Sequence, residues 1–529
     1  MLFTCSALVP APTRRWNDVS SSIEESAGFH RIVPAATPTA ARSSMKLSRN
    51  ILWNSAGIAL PLIVGVIVMP RIVAGLGIER FGVLSVIWMM IGYFSVFDLG
   101  LGRTLTKLVA DRLAGGDRHE IPRLVSTTLV MVLVSGCVLG IAIAACAGWI
   151  ARSLLHASVE QSIDTTVAII WLAGSMPFVL AATALFGLLE AFQSFALISI
   201  VRLPIGILTF VAPLAVLPFS KRLGVITAVL GAIRVLTAAA LLMLSYRVLP
   251  DLRGQTFGFY RQLMRPLLTF GGWLTVSNVV GPVMTYFDRF LIAAVAGSAA
   301  IAFYTVPYDV LMRLLVFPTA IQAVLFPAFV TLRYQDSVRL RSLFAKSSAA
   351  TLLLMSPALL GTMLLGHEGL RLWMGLQFAQ NSTHVAEILM VGVLVNAMAR
   401  IPFSFVQSAG YANWTAMTHL IELPFYIAAL WWLLKLYGIA GAAYAWTGRV
   451  CIDTIVFYAL GVKIDPILLR ETLKGVSLVL FICILAVLLD WLVGNIWARV
   501  VVVAACTASC GSALLWRLRG AFSVDRASA

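Results

Sequence analysis

The sequence predicts an all-α protein that crosses a membrane many times. Hydrophobic residues make up 60% of its 529 residues and charged residues only 12%, and the mean hydropathy is +0.94. Soluble domains contain about 45–50% apolar and about 25% charged residues. The apolar residues form continuous runs of the roughly 20 residues that a spanning helix needs, without the alternating segments of about ten residues that a transmembrane barrel requires.

About fourteen runs have this length, in two sets of six followed by a final pair. The first six are Ile51–Val73, Phe81–Leu99, Leu124–Ile150, Thr166–Leu188, Ser199–Phe219 and Leu223–Tyr246. The second six are Leu267–Phe287, Ala299–Thr331, Ser347–Leu365, Val385–Val406, Ala416–Leu434 and Tyr437–Leu460. The final pair is Gly475–Val493 and Val500–Trp516.

These runs divide the chain into two lobes of six helices, 45–246 and 267–460, with the last two helices and a tail in 461–529. A basic connector, 247–266, joins the lobes and is expected on the cytoplasmic side. Residues 1–44 are rich in Ser, Ala, Thr and Pro and contain no apolar run, which predicts a disordered tail. Alternatively they precede the true start, because MKLSRN at Met45 leads directly into the first span.

A sequence repeat relates the two lobes. The segment Pro70–Arg112 contains GVLSVIWMM, which aligns with AFYTVPYDV in Asp288–Arg313. The copies lie in the second and the eighth span, an offset of six spans, so both lobes begin on the same side of the membrane. The lobes are then related by an axis along the membrane normal, and a substrate path is expected between them.

The net charge of +16 is explained by topology. Lys and Arg collect in every second loop, and one side of the membrane carries more than twice as many of them as the other. Cytoplasmic loops carry this excess, which predicts that both termini are cytoplasmic. A nucleic-acid-binding protein would instead cluster its basic residues on one face, so this class is excluded.

Charged residues inside spans are costly and therefore mark a pathway or a pair. Four arginines lie inside spans: Arg234, Arg313, Arg400 and Arg449. Two of them have an acidic residue four positions away, which allows the ion pairs Asp309–Arg313 and Arg449–Asp453. The other two have no local partner, which makes them candidates for a cationic cavity, although Arg400 could also extend to the inner interface.

Four acidic residues also lie in spans or at their ends: Asp98, Asp288, Glu387 and Glu422. Any of these carboxylates could titrate as the site of a coupling ion. Asp98 and Asp288 lie close in sequence to Arg103 and Arg289, so pairing or helix capping is the favoured interpretation for these two. Arg289 itself is predicted to lie in an outer loop.

The sequence lacks the motifs of a membrane enzyme. It contains no GxxxxGK[ST] loop, no HExxH and no CxxC, which predicts that there is no bound nucleotide, metal or other cofactor. The outer loops are too short to hold the acid, base or arginine clamp of a glycan polymerase or ligase. Prolines interrupt several spans, among them Pro61, Pro177 and Pro402, and their kinks suit helices that bend between two states.

Four segments together resemble the polysaccharide transporter branch of the multidrug/oligosaccharidyl-lipid/polysaccharide flippase superfamily. They are MKLSRNILWNS, GIERFGVLSVIWMMIGYFSVFDLGLGRTLTKLVAD, TYFDRFLIAAVAGSAAIAFYTVPYDVL and RLWMG. The resemblance extends from Met45 to about Arg517. It implies two six-helix lobes around a cationic cavity, two additional helices, and export of an undecaprenyl-pyrophosphate-linked oligosaccharide across a bacterial inner membrane for surface polysaccharide synthesis.

Two other functions remain open. A multidrug antiporter of the same superfamily would have a cavity with acidic and aromatic contacts, so the balance of Arg against Asp and Glu in the cavity separates it from a glycan exporter. A membrane polymerase or ligase is less favoured by the short loops. The partners expected for an exporter are a lipid-linked glycan, membrane lipids and the polymerase and glycosyltransferases of the same process.

Overall fold

A computed structural model describes residues 60–61, 63–94, 100–155, 159–254 and 258–527. These residues are largely helical, and no strand occurs among them. The helices of more than ten residues are α1 Ile63–Leu76, α2 Ile78–Phe94, α3 Leu101–Gly115, α4 Ile121–Trp149, α5 Val159–Ala191, α6 Phe195–Val216, α7 Leu223–Val248, α8 Arg261–Arg313, α9 Val316–Gln335, α10 Ser337–Met374, α11 Leu376–Ser408, α12 Ala412–Ile464, α13 Leu469–Leu492 and α14 Ile496–Ala527.

The chain is therefore a multi-pass membrane protein. Among the described residues, 10 helical segments are long and apolar enough to cross a membrane, and α1 is a shorter apolar helix. Each of the fourteen predicted spans falls mainly on helix where the structure describes it; the exceptions are residues 217–219, 314–315 and 493. We call α1–α7 the N-lobe and α8–α12 the C-lobe.

Two long helices each contain a sharp turn at a glycine. Gly297 in α8 has φ 81° and ψ 175°, and Gly438 in α12 has φ 58° and ψ −141°. Side chains with a Cβ rarely adopt positive φ, so glycine permits these turns at little cost. The Gly297 turn separates two predicted spans, and the Gly438 turn lies at the second residue of the span predicted at Tyr437–Leu460. The span predicted at Ala299–Thr331 is interrupted once more, at Leu314 and Leu315 between α8 and α9.

Helix α3 occupies the basic segment that was predicted as a loop. Leu101, Leu105 and Val109 follow one another at intervals of four residues and are fully buried. Arg103 and Lys107 lie on the other face and are exposed. An amphipathic helix with this pattern fits the boundary between lipid and water.

Buried side chains show where the lobes meet. The largest core cluster contains residues of both lobes, such as Leu84 and Ile87 of α2 and Ile301 and Tyr304 of α8. A second cluster lies in the N-lobe apart from Leu249, Leu252 and Leu267, and a third contains residues of the C-lobe and Leu468. Among the described side chains, the lobes thus share a core at the end with the Gly77 and Gly297 turns and have separate cores toward the connector.

At the shared end the two lobes touch backbone to backbone. A Cβ atom on Gly82 of α2 would lie 1.8 Å from the carbonyl oxygen of Ser298, directly after the Gly297 turn. The indole N–H of Trp373 in α10 also donates to the carbonyl of Val66 in α1, at 2.8 Å. These contacts close the space between the lobes at this end.

The end of the connector is attached to the N-lobe. The backbone N–H of Gly258 donates to Ser126 Oγ at 2.8 Å, and that hydroxyl donates to the Gly258 carbonyl at 3.0 Å. The N–H of Tyr260 donates to Thr127 Oγ1 at 3.3 Å, and the Arg123 guanidinium lies over the Tyr260 ring. Helix α8 therefore starts from a point fixed on α4.

Candidate functional site

A cavity of about 240 Å³ lies between the two lobes. Its wall on one side comes from α1, α2 and α6 of the N-lobe, and on the other side from α8 of the C-lobe. The charged residues that line it are Arg289, Asp309 and Arg313, and all three belong to α8. The N-lobe wall is apolar, aromatic and hydroxylic. The two walls of the cavity thus have different chemistry.

Arg313 is exposed to this cavity at the end of α8. Within the described part of the chain its guanidinium has no ion-pair or hydrogen-bond partner. The expected pair with Asp309 does not form, because the Asp309 carboxylate is held by Arg289 instead. An arginine inside a membrane protein needs water or an anion, so Arg313 is available to an anionic ligand.

The prediction for Arg289 was wrong. The residue was assigned to an outer loop, but it lies inside α8, is only 3% exposed, and pairs with Asp309. Its guanidinium also lies over the ring of Tyr308, 4.9 Å from the centroid. This neighbourhood fixes the side chain, so the cavity contains a rigid arginine beside the free Arg313.

Asp288 has no capping role at a helix end. It is completely buried, and its carboxylate accepts hydrogen bonds from the Tyr304 hydroxyl at 2.8 Å and from the backbone N–H of Arg289 at 2.7 Å. The ion pair that the structure shows for Arg289 is with Asp309. Asp288 therefore orients the segment that presents Arg289 to the cavity.

Arg234 does not line the cavity itself but contacts a residue that does. It lies on α7 and donates from Nη2 to Thr209 Oγ1 at 3.2 Å. Thr209 is a lining residue on α6, so Arg234 stands behind the N-lobe wall. The arginine adds positive charge to the cavity and holds the Thr209 hydroxyl in place.

The aromatic side of the N-lobe wall was not identified from the sequence. Trp88 lies between Phe81 and Phe210, with ring centroids 6.1 and 5.3 Å away, and all three rings line the cavity. Ser85 and Thr209 add hydroxyl groups. An aromatic residue in an apolar run carries no signal of its own, because most such residues pack in a core.

The structure separates the remaining predicted arginines from this cavity. Arg400 and Arg449 line a second cavity of about 200 Å³, formed by residues of the C-lobe. Arg400 donates to Gln322 Oε1 at 3.3 Å. The predicted pair of Arg449 and Asp453 is confirmed, with Nη1 and Oδ2 3.3 Å apart.

Asp453 also belongs to a group of titratable residues with His419 and Glu422. Ligand atoms of the three side chains lie within 4.8 Å of one another, and His419 Nδ1 is 3.3 Å from Asp453 Oδ1. A metal site was not predicted. The positive charge of Arg449 on the same carboxylate opposes a divalent cation. His419 was not among the predicted residues, because Asp453 lies 34 positions away, beyond the Gly438 turn of α12, and this spacing forms no local motif.

Glu387 lines neither of these two cavities. Glu387 interacts with His384 on α11, with Oε2 and Nδ1 3.4 Å apart. Asp98 lies outside the described residues.

Comparison with known proteins agrees with this architecture. Residues 47–333 match the family described as "Polysaccharide biosynthesis protein". A protein of Shigella flexneri named "Putative O-antigen transporter" is 29% identical over 412 residues, which cover 78% of this chain and 97% of that protein. The lipopolysaccharide biosynthesis protein WzxC of Escherichia coli is 26% identical over 190 residues, covering 31% of this chain and 38% of WzxC.

Solved structures share the fold at low sequence identity. The lipid II flippase MurJ in an inward closed conformation has a TM-score of 0.65 at 15% identity, covering 88% of this chain and 99% of MurJ. A multidrug resistance MATE family transporter of the MOP superfamily in an inward-facing conformation has a TM-score of 0.63 at 14% identity, covering 79% and 98%. The resemblance seen in the sequence is confirmed, and the chain belongs to the polysaccharide biosynthesis protein family.

Proposed function

We propose that this protein is a flippase that exports an oligosaccharide linked to undecaprenyl pyrophosphate. The observation that carries the proposal is the arginine-bearing wall of the cavity between the lobes, with Arg313 exposed and Arg289 held beside it. A pyrophosphate cannot cross hydrocarbon unaided, and guanidinium groups bind phosphate oxygens through charge-assisted, often bidentate hydrogen bonds. The polyprenyl chain can remain in the lipid while the cavity holds the head group.

The relatives support this substrate class. The Shigella flexneri relative is named for O-antigen transport, and MurJ, whose fold is shared, is a flippase of lipid II. Neither is named for a covalent reaction, so we propose transport without chemistry and without a cofactor. The polymerase and glycosyltransferases that make and extend the glycan remain proposed partners.

The mechanism we propose is alternating access by rocking of two lobes, 45–246 and 267–460, about the connector 247–266. The shared core and the Gly82–Ser298 contact close one end of the space between the lobes. The separate cores toward the connector favour an opening at the other end. The kinks at Gly297 and Gly438 would let α8 and α12 change shape as the lobes move.

We place the protein in the bacterial inner membrane with both termini in the cytoplasm. The excess of Lys and Arg in alternate segments between the spans, including Arg103, Lys107 and Arg112 on α3, supports this orientation. The connector side is then cytoplasmic, so the cavity opens toward the compartment from which the lipid-linked glycan is loaded.

The test is translocation of a fluorescent undecaprenyl-pyrophosphate-linked glycan in vesicles with purified protein. Arg313→Gln removes a charge-assisted contact, for which we expect a loss of about tenfold to a hundredfold. Arg371→Gln is the matched control, because Arg371 is exposed at the end of α10 and does not line the cavity. A triple variant, Arg234→Gln with Arg313→Gln and Arg400→Gln, that still translocates at the wild-type rate would refute the assignment.

A multidrug antiporter remains the second candidate, and a specific observation favours testing it. The fold is shared with MATE transporters, and the C-lobe contains the His419, Glu422 and Asp453 group that could bind a proton. The cavity between the lobes, however, contains two arginines and one aspartate, which opposes a cationic drug. Proton-driven uptake of ethidium into the same vesicles, unaffected by Arg313→Gln, would favour the antiporter.

A further inference from the structure

We propose that the corner formed by Phe81, Trp88 and Phe210 is a subsite for a sugar ring of the exported glycan. This inference rests on the proposed function and adds to it, because it assigns the N-lobe wall to the sugar and leaves the pyrophosphate to the arginines of α8. The subsite would decide whether the protein recognises the glycan or only its lipid pyrophosphate.

Trp88 differs from its neighbours in exposure. From Phe81 to Ile91 every residue of α2 is buried except Trp88, which stays partly exposed. The side chain is also one of those that line the cavity. Because Trp88 lines the cavity, the exposed part of its ring faces the cavity.

The corner is built by close packing. The Phe210 ring lies 5.3 Å from the Trp88 ring at an interplanar angle of 66°, and Phe81 lies 6.1 Å away at 83°. Phe210 in turn packs on the backbone of Gly65, where a Cβ atom would be 3.2 Å from the ring. Three helices thus fix the orientation of the Trp88 ring before any ligand arrives.

Hydroxyl groups surround the aromatic corner. Ser85 and Thr209 line the same cavity, and each donates its proton to a carbonyl of its own helix, at 3.0 and 2.7 Å. Their oxygens keep lone pairs that can accept from a ligand hydroxyl. Over the described residues, Thr305 Oγ1 and Trp88 Nε1 are buried polar atoms without a hydrogen-bond partner.

This combination matches a sugar better than a drug cation. One face of a pyranose ring presents C–H groups with partial positive charge, which are attracted to the face of an aromatic ring, while its hydroxyls need donors and acceptors at the rim. A planar cation would also stack on Trp88, but Arg289 and Arg313 across the cavity repel it. The same arginines attract the phosphates to which the first sugar is attached.

The subsite is tested by comparing two ligands that differ by one sugar. Undecaprenyl pyrophosphate and undecaprenyl-pyrophosphoryl-N-acetylglucosamine are titrated into purified full-length protein in nanodiscs, and affinity is measured by thermophoresis. The variants are Trp88→Leu, Trp88→Phe and, as matched control, Trp171→Leu. Trp171 is 53% exposed on α5 and does not line the cavity.

We expect Trp88→Leu to lower the affinity for the sugar-bearing ligand by about tenfold, because one stacked ring is lost. The affinity for the sugar-free ligand should fall by less than about twofold. Trp88→Phe keeps an aromatic face and should restore most of this difference, which also excludes misfolding as the cause. Trp171→Leu should change neither affinity.

Two results would overturn the subsite. If Trp88→Leu lowered the affinity for both ligands equally, the ring would have a structural role. If it lowered neither affinity, Trp88 would not be part of the binding site. Failure of the proposed function looks different: the wild-type protein would then bind neither pyrophosphate ligand, or Arg313→Gln would leave both affinities unchanged.

Discussion

The contact between Gly82 and Ser298 predicts that a single methyl group opens the closed end of the protein. In Gly82→Ala the new Cβ would lie 1.8 Å from the Ser298 carbonyl oxygen. An ordinary carbon–oxygen contact is about 3.3 Å, so the two backbones must move apart by about 1.5 Å. The obstacle is a backbone atom, and no flexible side chain can move aside.

The displacement disfavours the state in which the lobes touch. Overpacking of a close contact costs typically about 1–3 kcal/mol. A cost of about 2 kcal/mol to the closed state alone raises the ratio of open to closed molecules by about thirtyfold. The substitution should therefore shift the conformational equilibrium even where overall stability is little changed.

Thiol labelling measures this shift. Ser85 lies one turn beyond Gly82, is only 3% exposed and lines the cavity, so Ser85→Cys reports access from the closed end. The seven native cysteines are first replaced by alanine or serine. We expect a membrane-impermeant reagent, applied from the side with the Gly77 and Gly297 turns, to label the Gly82→Ala variant at least about tenfold faster.

Gly231→Ala provides the matched control. A Cβ there would meet Ser175 and Trp171 atoms at 3.6 Å, which is an ordinary contact, so labelling should remain at the parent rate. If Gly82→Ala labels no faster than this control, the contact does not hold the lobes together and the reasoning is refuted.

Three further substitutions test the electrostatic and connector contacts. Asp309→Asn removes the carboxylate that neutralises buried Arg289 and should lower the free energy of unfolding by about 3 kcal/mol. If the double variant Asp309→Asn with Arg289→Gln does not regain stability, the two residues are not coupled. Ser126→Ala removes two hydrogen bonds to Gly258, worth about 1 kcal/mol each, and should speed amide exchange at the start of α8; unchanged exchange would contradict the attachment. Asp453→Asn leaves the charge of Arg449 without its ion-pair partner. It should therefore lower the unfolding temperature more than the double variant Arg449→Met with Asp453→Asn does, which differential scanning fluorimetry can measure.

The helices could be predicted because their length and apolar character are set by the bilayer. Hydropathy placed all fourteen spans on segments that are mainly helical where the structure describes them. It ended the seventh span at Phe287, because the next two residues, Asp288 and Arg289, are charged. In the structure α8 continues past both, and the turn comes at Gly297. The stronger signal was the glycine, which permits positive φ, followed by small residues.

The site was harder to predict because its contacts join distant positions. The rule that residues four apart on a helix can pair was correct for Arg449 and Asp453. It was not correct for Asp309, which pairs with Arg289 across the Gly297 turn, 20 positions away. The aromatic corner joins α2 with α6, and His419 meets Asp453 from another part of α12. Such contacts depend on how helices pack against one another, which the periodicity of a single helix does not predict.

The division of the cavity into two chemically different walls suggests how binding and release are linked to motion. A head group that contacts Arg313 with its phosphates and Trp88 with its sugar bridges the C-lobe and the N-lobe. Its affinity is then highest in the state that keeps both walls within reach, and it falls in any state that separates them. A ligand shifts a conformational equilibrium only by the difference of its affinities for the two states, and the same difference weakens its binding after the shift. In the mechanism we propose, charges on one lobe and aromatic rings on the other therefore make separation of the lobes and release of the substrate one event.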